Sequence, residues 1–284
     1  MRALLTVTTE RLAAMAAGAA LVALVARAAW FEPRRLVVIE HDLRLPGWPS
    51  GLDGMRLALV SDLHGGGPQV GQQAIRRVVE RVNATAPDLV ALLGDAIDYT
   101  VIGGSVLAPE AVSRELGALR APLGAIAVLG NHDWANDGPG VLRALREAGA
   151  TVLENQTTEL EFRGTRFCVA GLADATTRRP DMYATLRDVP PDQPLLLLSH
   201  NPDTFPQVPS RVSLTVSGHT HGGQVALPLL RNLAIPSRYG ARYARGHVIE
   251  SGRHLFVTSG VGTSRWPIRL GRPPEIVVLR LLAG

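Results

Sequence analysis

"MRLALVSDLH", Met55 to His64, is a short apolar run that ends abruptly in an aspartate and a histidine. A short apolar run of about 4–8 residues bounded by polar ones reads as a strand buried on both faces, the kind found in a parallel sheet. The next stretch, "QVGQQAIRRVVERVNATAP", places Ala74/Ile75, Val78/Val79 and Val82 at helical spacing and stops before Pro87. "DLVALLGD" is again a buried strand, Val112, Leu116 and Leu119 mark a helix, "GAIAVLGNHD" is a strand, and "GVLRALREAG" is a helix closed by Gly149. This β-α-β-α-β-α order predicts parallel strands joined by crossover helices.

On either side the pattern changes. "RRLVVIEHDLRLPGWPSGLDG" alternates and then breaks at Pro46, Gly47, Pro49 and Gly51, as an edge strand and loop would. Beyond Gly149 come shorter strands with turn signals in "TVLENQTTELEFRGTRFCVAGL", buried strands in "PLLLLSH" and "VSLTVSGHTH", and a hairpin in "HVIESGRHLFVTSGVG". So strand-rich a second half predicts an α/β fold built as a two-sheet sandwich flanked by helices, rather than one doubly wound sheet.

The polar residues sit at strand ends. The first strand supplies Asp62 and His64; the second Gly94, Asp95 and Asp98; the third Asn131, His132 and Asp133. Later strands supply His200, then His219 and His221 in "SGHTHGGQ". Asp62 and Asp95 are 33 residues apart, and Asp95 and Asn131 are 36, each about one βαβ unit. Consecutive parallel strands would line these residues along the carboxyl edge of a sheet, where open α/β folds bind ligands. Aspartate, asparagine and imidazole together suit borderline divalent metals, with Mn²⁺ the foremost candidate and Fe, Zn or Co also fitting. In "HTH" two imidazoles at i and i+2 would diverge on an extended chain, so the flanking glycines are expected to let the chain turn and deliver one to each of two ions. Two ions about 3.5–4 Å apart can clamp a phosphoryl group and acidify a water.

The series D-x-H, G-D-x-x-D, G-N-H-D, a lone histidine after an apolar strand, and G-H-x-H resembles the calcineurin-like metallophosphoesterases. All five blocks are present in order from Asp62 to His221. "GHTHGGQ" is similar to the branch of small bacterial membrane-associated phosphodiesterases, which includes enzymes of the UDP-2,3-diacylglucosamine pyrophosphatase type. The resemblance implies the α-β-β-α fold of that family and two divalent ions. It implies that Asp62, His64, Asp95 and His221 hold one ion and Asp95, Asn131, His200 and His219 the other, with Asp95 bridging. It further implies catalytic roles for His132, at the phosphate or the leaving oxygen, and for Asp133, orienting it. Asp98 reads either as a hydrogen-bond partner of a ligand or as a surface carboxylate. Gly65 to Gly67 read either as backbone donors to a phosphate or as a flexible loop.

Composition bounds the rest. The chain has 284 residues, a formal net charge of +4, and no lysine, so all 29 basic side chains other than histidine are arginine. Guanidinium groups suit phosphates and anionic headgroups; no basic cluster is interleaved with aromatics, so no nucleic-acid partner is expected. Cys168, the single cysteine, has no intrachain partner and reads as core packing. Of the eight histidines, His41, His247 and His254 fall outside the motifs and read as surface.

"LAAMAAGAALVALVARAAWF", Leu12 to Phe31, is long and apolar enough to cross a bilayer. Arg27 is its one charge, near the end, where it can snorkel, and Trp30 and Phe31 fall where aromatic belts lie. The competing readings are a cleaved signal peptide and a buried core helix. Residues 1–35 are expected to form a membrane anchor and its flank, and 36–284 the catalytic domain. The arginines on either side favour a single-pass membrane protein with its catalytic domain in the cytoplasm. Leu227 to Gly246 mixes apolar residues with Arg231, Arg238 and Arg242, which reads as a cleft wall binding a phosphate-ester substrate, lipid-linked or nucleotide-sugar, or as a loop with its own small cluster. Within enzymes the alternative is a broad phosphodiesterase acting on soluble nucleotides; outside them, a membrane scaffold with structural metals.

Overall fold

The computed structural model describes residues 2–226 and 235–284. It opens with α1 (Arg2–Ala26), which runs on as a π-helix over Arg27–Phe31 and a 3₁₀ turn over Glu32–Arg34. None of the most apolar window of this helix is covered by the rest of the protein. Met15 and Val22 are among its exposed side chains, so the core-helix reading fails. By length and composition the segment can cross a membrane. Arg27 pairs with buried Glu32 at 3.1 Å, a local contact that accompanies the turn out of the helix.

Strands β1 (Val37–Leu45) and β2 (Met55–Val60), helix α2 (Gln72–Ala84), β3 (Leu89–Leu92), α3 (Pro109–Leu116), β4 (Ala125–Ala127), α4 (Asn131–Glu147) and β5 (Thr151–Val152) follow. Then come β6 (Gln156–Phe162), β7 (Thr165–Gly171), α5 (Met182–Leu186), β8 (Leu195–Leu198), β9 (Leu214–Ser217), β10 (Gly246–Glu250), β11 (Arg253–Val257) and β12 (Glu275–Ala283). They form two six-stranded sheets, β1-β12-β2-β3-β4-β5 and β10-β11-β9-β8-β7-β6. In the first, β2 through β5 are parallel, as the βαβ pattern predicts, and β1 is an edge strand. The chain's last strand, β12, inserts between β1 and β2, parallel to one and antiparallel to the other. In the second sheet β7, β8, β9 and β11 run parallel, and β10–β11 is the expected hairpin.

Alternate residues of the apolar strands serve two cores. Leu57, Leu59, Leu89 and Ala91 meet Phe167, Val169, Leu196, Leu198, Leu214 and Val216 of the second sheet. Their neighbours Ala58, Val60, Val90 and Leu92 lie under Ile75, Val79, Val112 and Val141 of the helices. A third cluster, with Cys168, Leu195, Leu197, Phe205 and Tyr243, backs the second sheet. The sandwich is therefore flanked on both sides, and Cys168 is core packing as read. Two local readings change. Asn131, His132 and Asp133 open α4 rather than ending a strand, and a break at Asp137 separates that first turn from the part read as the helix. His254 is buried, its Nδ1 3.0 Å from Nε2 of His247, because its position on β11 faces inward.

Phe167 is fully buried between the sheets and meets Trp48 edge-on, with centroids 6.4 Å apart. Phe167→Ala should cost about 3–5 kcal/mol, because a ring-sized cavity there cannot collapse between two hydrogen-bonded sheets. A lower urea midpoint at unchanged slope would show it.

Candidate metal centre

The parallel strands of both sheets end on one rim. Asp62 lies two residues beyond β2, Asp95 three beyond β3, His200 two beyond β8 and His219 two beyond β9. Asn131 stands at the start of α4 after β4. Backbone amides tie the rim together: Asp62 N–H donates to Gly94 O, His64 N–H to Asp95 O, and Gly218 N–H to His200 O. Across the sheets, His219 N–H donates to the Asp62 carboxylate, with both oxygens at 3.1 Å. Gly218 permits this approach, since a Cβ there would overlap Ser61 Oγ and Asp62 Oδ2.

Two clusters result beside a third group, His64, Asp98 and His132, which shares His64 with the first of them. In one, Asp62, His64 and His221 converge, with His221 Nε2 3.5 Å and His64 Nε2 3.9 Å from Asp62 Oδ1. In the other, His200 Nε2 lies 3.2 Å from Asp95 Oδ2, 3.2 Å from Asn131 Oδ1 and 3.2 Å from His219 Nδ1. Asp95 Oδ2 also stands 3.6 Å from His64 Nε2, so one oxygen faces both clusters. The two imidazoles of "HTH" enter separate clusters, but the turn is made by the histidines themselves rather than by the glycines beside them. His219 and His221 have φ of 68° and 50°, and Thr220 between them is helical, which swings the rings into separate clusters. Asp62, His64 and Asp95 also have positive φ, at 52°, 47° and 54°. Each such residue stores roughly 1–3 kcal/mol of backbone strain, and strain of that kind persists where its surroundings over-determine it.

The hydrogen bonds behind the imidazoles leave a site suited to cations. His200 Nδ1 lies 2.7 Å from Leu93 O, a pure acceptor, so Nδ1 carries the hydrogen and Nε2 presents a lone pair. His64 Nδ1 likewise donates to Asp98 Oδ2 at 2.8 Å, leaving Nε2 buried with no hydrogen-bond partner among the described residues. In the neutral rings these lone pairs face the Asp95 and Asp62 carboxylates and the Asn131 amide oxygen, a set of acceptors that divalent ions would satisfy. Without such ions the site draws in protons instead. Burial opposes charge on His64, yet Asp62, Asp98 and Asp95 outweigh it and push it up to about 9. His200, also opposed by burial, is pushed up to about 10, chiefly by Asp95. Burial would raise Asp62 and Asp95, but the surrounding imidazoles, His221 first for one and His200 for the other, hold both well below the usual carboxylate range. Burial, then the neighbouring His200, lowers His219; burial lowers His221 further, although Asp62 opposes it. The donor set and its charge thus fit two divalent ions.

Around the clusters stands a layer of positioning groups. Asp98 is the buried partner of His64, and the same Oδ2 lies 3.1 Å from His132 Nδ1. Its Oδ1 takes the Thr100 amide and hydroxyl, each at 2.7 Å, which locks the carboxylate in place. The contact to His132 expected of Asp133 is made by Asp98 instead. Asp133 instead accepts the amides of Asp95, Ala96, Ile97 and Gly130 at 2.7–3.2 Å, clamping the loop after β3 to the first turn of α4. The N–H groups of Gly65, Gly66 and Gly67 are all spent on backbone carbonyls of Ala96, Val70 and His64, so the phosphate cradle read there does not form.

Arg269 is a residue the sequence reading missed. It is fully buried, donates to the carbonyls of Ser259, Gly260, Gly262 and Arg272, and brings Nη2 to 3.4 Å from His221 Nδ1. Burial lowers it to about 10, which still leaves it charged at neutral pH. In sequence it is one arginine among 29, with no motif to single it out.

Beside the second cluster a cavity of about 810 Å³ opens from Asn131 and His219, past Leu172, Met182, Asn201 and Ile235 to Arg238. Of the expected substrate arginines, Arg238 lines it, Arg231 lies outside the described residues, and Arg242 does not line it. Arg242 is paired to Glu250 at 2.6 Å, held by the hairpin rather than turned to the cleft. Tyr243 packs edge-on to Phe205 beneath, so the loop read over Leu227 to Gly246 divides: Ile235 to Arg238 form a wall, and Tyr243 belongs to the core. Asp133→Asn would turn an amide group toward four N–H donors. It should destabilise the protein by about 2–4 kcal/mol, read as a fall in unfolding midpoint that added divalent metal only partly restores.

Comparison with known proteins accounts for this arrangement. Residues 55–223 match the family model described as Calcineurin-like phosphoesterase. The chain is 32% identical over 257 residues to YkuE, an uncharacterized metallophosphoesterase of Bacillus subtilis (strain 168), covering 89% of this chain and 88% of that one. It is 31% identical to a transmembrane protein with metallophosphoesterase domain of Danio rerio, over 84% of this chain and 56% of that protein. It is 27% identical to the UDP-2,3-diacylglucosamine pyrophosphatase LpxG of Chlamydia trachomatis serovar D, over 88% of this chain and 91% of that one. A family match across more than half of the chain, on a sandwich whose rim gathers two clusters able to bind metal ions, makes this protein a member of the calcineurin-like phosphoesterase family, a metal-dependent phosphoester hydrolase.

Proposed function

We propose that the protein is a membrane-anchored, dinuclear-metal phosphodiesterase or pyrophosphatase whose substrate carries both a phosphate and an apolar portion. The observation that carries the substrate class is the cavity at the second cluster. It is lined by Asn131 and His219, by Leu172, Met182 and Ile235, and by Arg238. A guanidinium for an anionic oxygen beside aliphatic walls suits a lipid-linked phosphodiester or a nucleotide-sugar pyrophosphate. The likeness to the LpxG protein supports the same reading.

Asp62, His64, Asp95 and His221 would hold one ion; Asp95, Asn131, His200 and His219 would hold the other. Mn²⁺ is the ion to try first for this oxygen and imidazole set. Bound there, two divalent cations supply charge neutralisation at the phosphoryl oxygens and a water of lowered pKa. The chain's own residues do the rest. His132 stands at the mouth, partly exposed, with Nδ1 held by Asp98, which leaves Nε2 to meet the substrate. From Nε2 a proton passes to the leaving oxygen, and the Asp98 carboxylate stabilises the ring while it is charged. His132 N–H donates to Asp95 Oδ1 at 2.8 Å, so the acid and the Asp95 carboxylate are held in one frame. Residues 1–35 form the anchor and its flank and 36–284 the catalytic domain, with the arginines after the helix keeping that domain on the cytoplasmic side.

The full-length protein in detergent with Mn²⁺ should hydrolyse bis-p-nitrophenyl phosphate, lose that activity in EDTA and regain it on metal addition; activity unchanged by thorough chelation ends the proposal. His132→Ala should lower kcat about 10²–10⁴-fold while retaining two equivalents of metal. A parallel loss of metal would make His132 a ligand instead. Relative rates on UDP-diacylglucosamine, soluble dinucleotides and monoesters decide the substrate class, and a preference for soluble dinucleotides overturns the apolar requirement.

A further inference from the structure

The rim that carries the metal clusters is also the face on which the N-terminal helix ends. The link is short. Arg269 reaches His221 with its guanidinium, and its backbone N–H donates to Ala28 O at 2.9 Å, in the π-helical turn that closes the apolar helix. The segment leading to Arg269 continues along this face. Ile102 N–H donates to Arg265 O at 3.0 Å, and Gln69 Nε2 donates to Pro267 O at 3.1 Å. The loop after Asp98, residues 99–107, thus lies beside residues 265–268, and these lie beside the end of the helix.

Both segments expose large apolar side chains. Ile102 is 49% exposed, Val106 72% and Trp266 56%, next to Trp30 at 61% and Phe31 at 67%. A soluble surface has no use for five such groups on neighbouring segments. Their flanks are cationic. Arg34 stacks over the Trp30 ring at 3.8 Å and donates to Trp30 O, and Arg35 and Arg265 are exposed. Residues 99–107 and 261–268 contain no aspartate or glutamate. Apolar groups ringed by arginines, continuous with a helix able to span a membrane, match the acyl–headgroup boundary of a phospholipid bilayer.

We infer that the catalytic rim docks face-on against the bilayer, with Ile102, Val106 and Trp266 entering the boundary region beside Trp30 and Phe31. This rests on the reading of α1 as a membrane span. It places the partly exposed His132 near the lipid surface, since the docking loop begins directly after Asp98, whose Oδ2 lies 3.1 Å from His132 Nδ1. A phosphate ester could then be taken from the headgroup layer without leaving the membrane.

Nitroxide labels on the full chain test this, on a Cys168→Ala background that removes the one native thiol. Labels introduced by Val22→Cys, Ile102→Cys, Val106→Cys and Ile249→Cys occupy exposed positions, so folding is not at risk. The protein is reconstituted into vesicles of phosphatidylcholine and phosphatidylglycerol, and each label is read by its collision rates with oxygen and with a water-soluble nickel complex. Expected is a shift toward oxygen at 22, 102 and 106, with 249, on the hairpin, remaining accessible to nickel. Labels at 102 and 106 as accessible to nickel as 249, with 22 in lipid, would overturn the docking and leave the anchor standing. A label at 22 in water would remove the anchor and the inference together. Shielding at 102 and 106 that follows the protein-to-lipid ratio would assign the face to a second copy of the chain and overturn it as well.

Discussion

Uncompensated negative charge is the constraint around which this protein is built. Asp62, Asp95 and Asp98 are buried side by side, and the Nε2 atoms of His64 and His200 that face the first two present lone pairs when those rings are neutral. Burying carboxylates among acceptors costs many kcal/mol unless positive charge is present. Protons on His64 and His200 can supply it, which is why both are pushed upward. Divalent cations supply it better, because each accepts several lone pairs at once. The fold is thus prepared for metal before metal arrives, and the strained backbone at five of the candidate ligands is a cost of that preparation.

The layer behind the candidate ligands does most of the positioning. Asp98 serves His64 and His132 through one oxygen, so a candidate ligand and the proposed acid share a hinge. Asp133 fastens the loop after β3 to the start of α4 with four amide bonds, which fixes Asp95 relative to Asn131. Arg269 does the same for the loop between β11 and β12 and touches His221. None of these three stands among the proposed ligands. Each holds backbone or imidazole in place so that no rearrangement is needed when substrate binds.

Arg269 also joins the centre to the apolar helix through a single residue: side chain to His221, amide to Ala28. The helix therefore does more than attach the domain at an arbitrary point. It meets the rim where β2, β3, β4, β8, β9 and β11 end, so the orientation of the domain relative to α1 follows from the same loops that form the site.

The sequence alone was enough to show the βαβ series and the two-sheet character, because strands buried on both faces appear as unbroken apolar runs and their crossover helices as a 3.6-residue period. Asp62, His64, Asp95, Asn131, His200, His219 and His221 were legible as one set because each follows such a run. Their division between two sheets was not, since strand order is a matter of packing: β12, last in the chain, lies between β1 and β2. Nor were the places of Asp98 and Asp133 separable, as both are aspartates near strand ends and only their hydrogen-bond partners distinguish them. Arg269 carried no local signal at all, and Arg242, which looked free to bind phosphate, is held by Glu250 across the hairpin. Periodicity reports which face of an element is buried, and so it reveals the elements and the residues at their ends. What those residues touch is set by long-range closure of the chain, and only the tertiary structure decided that.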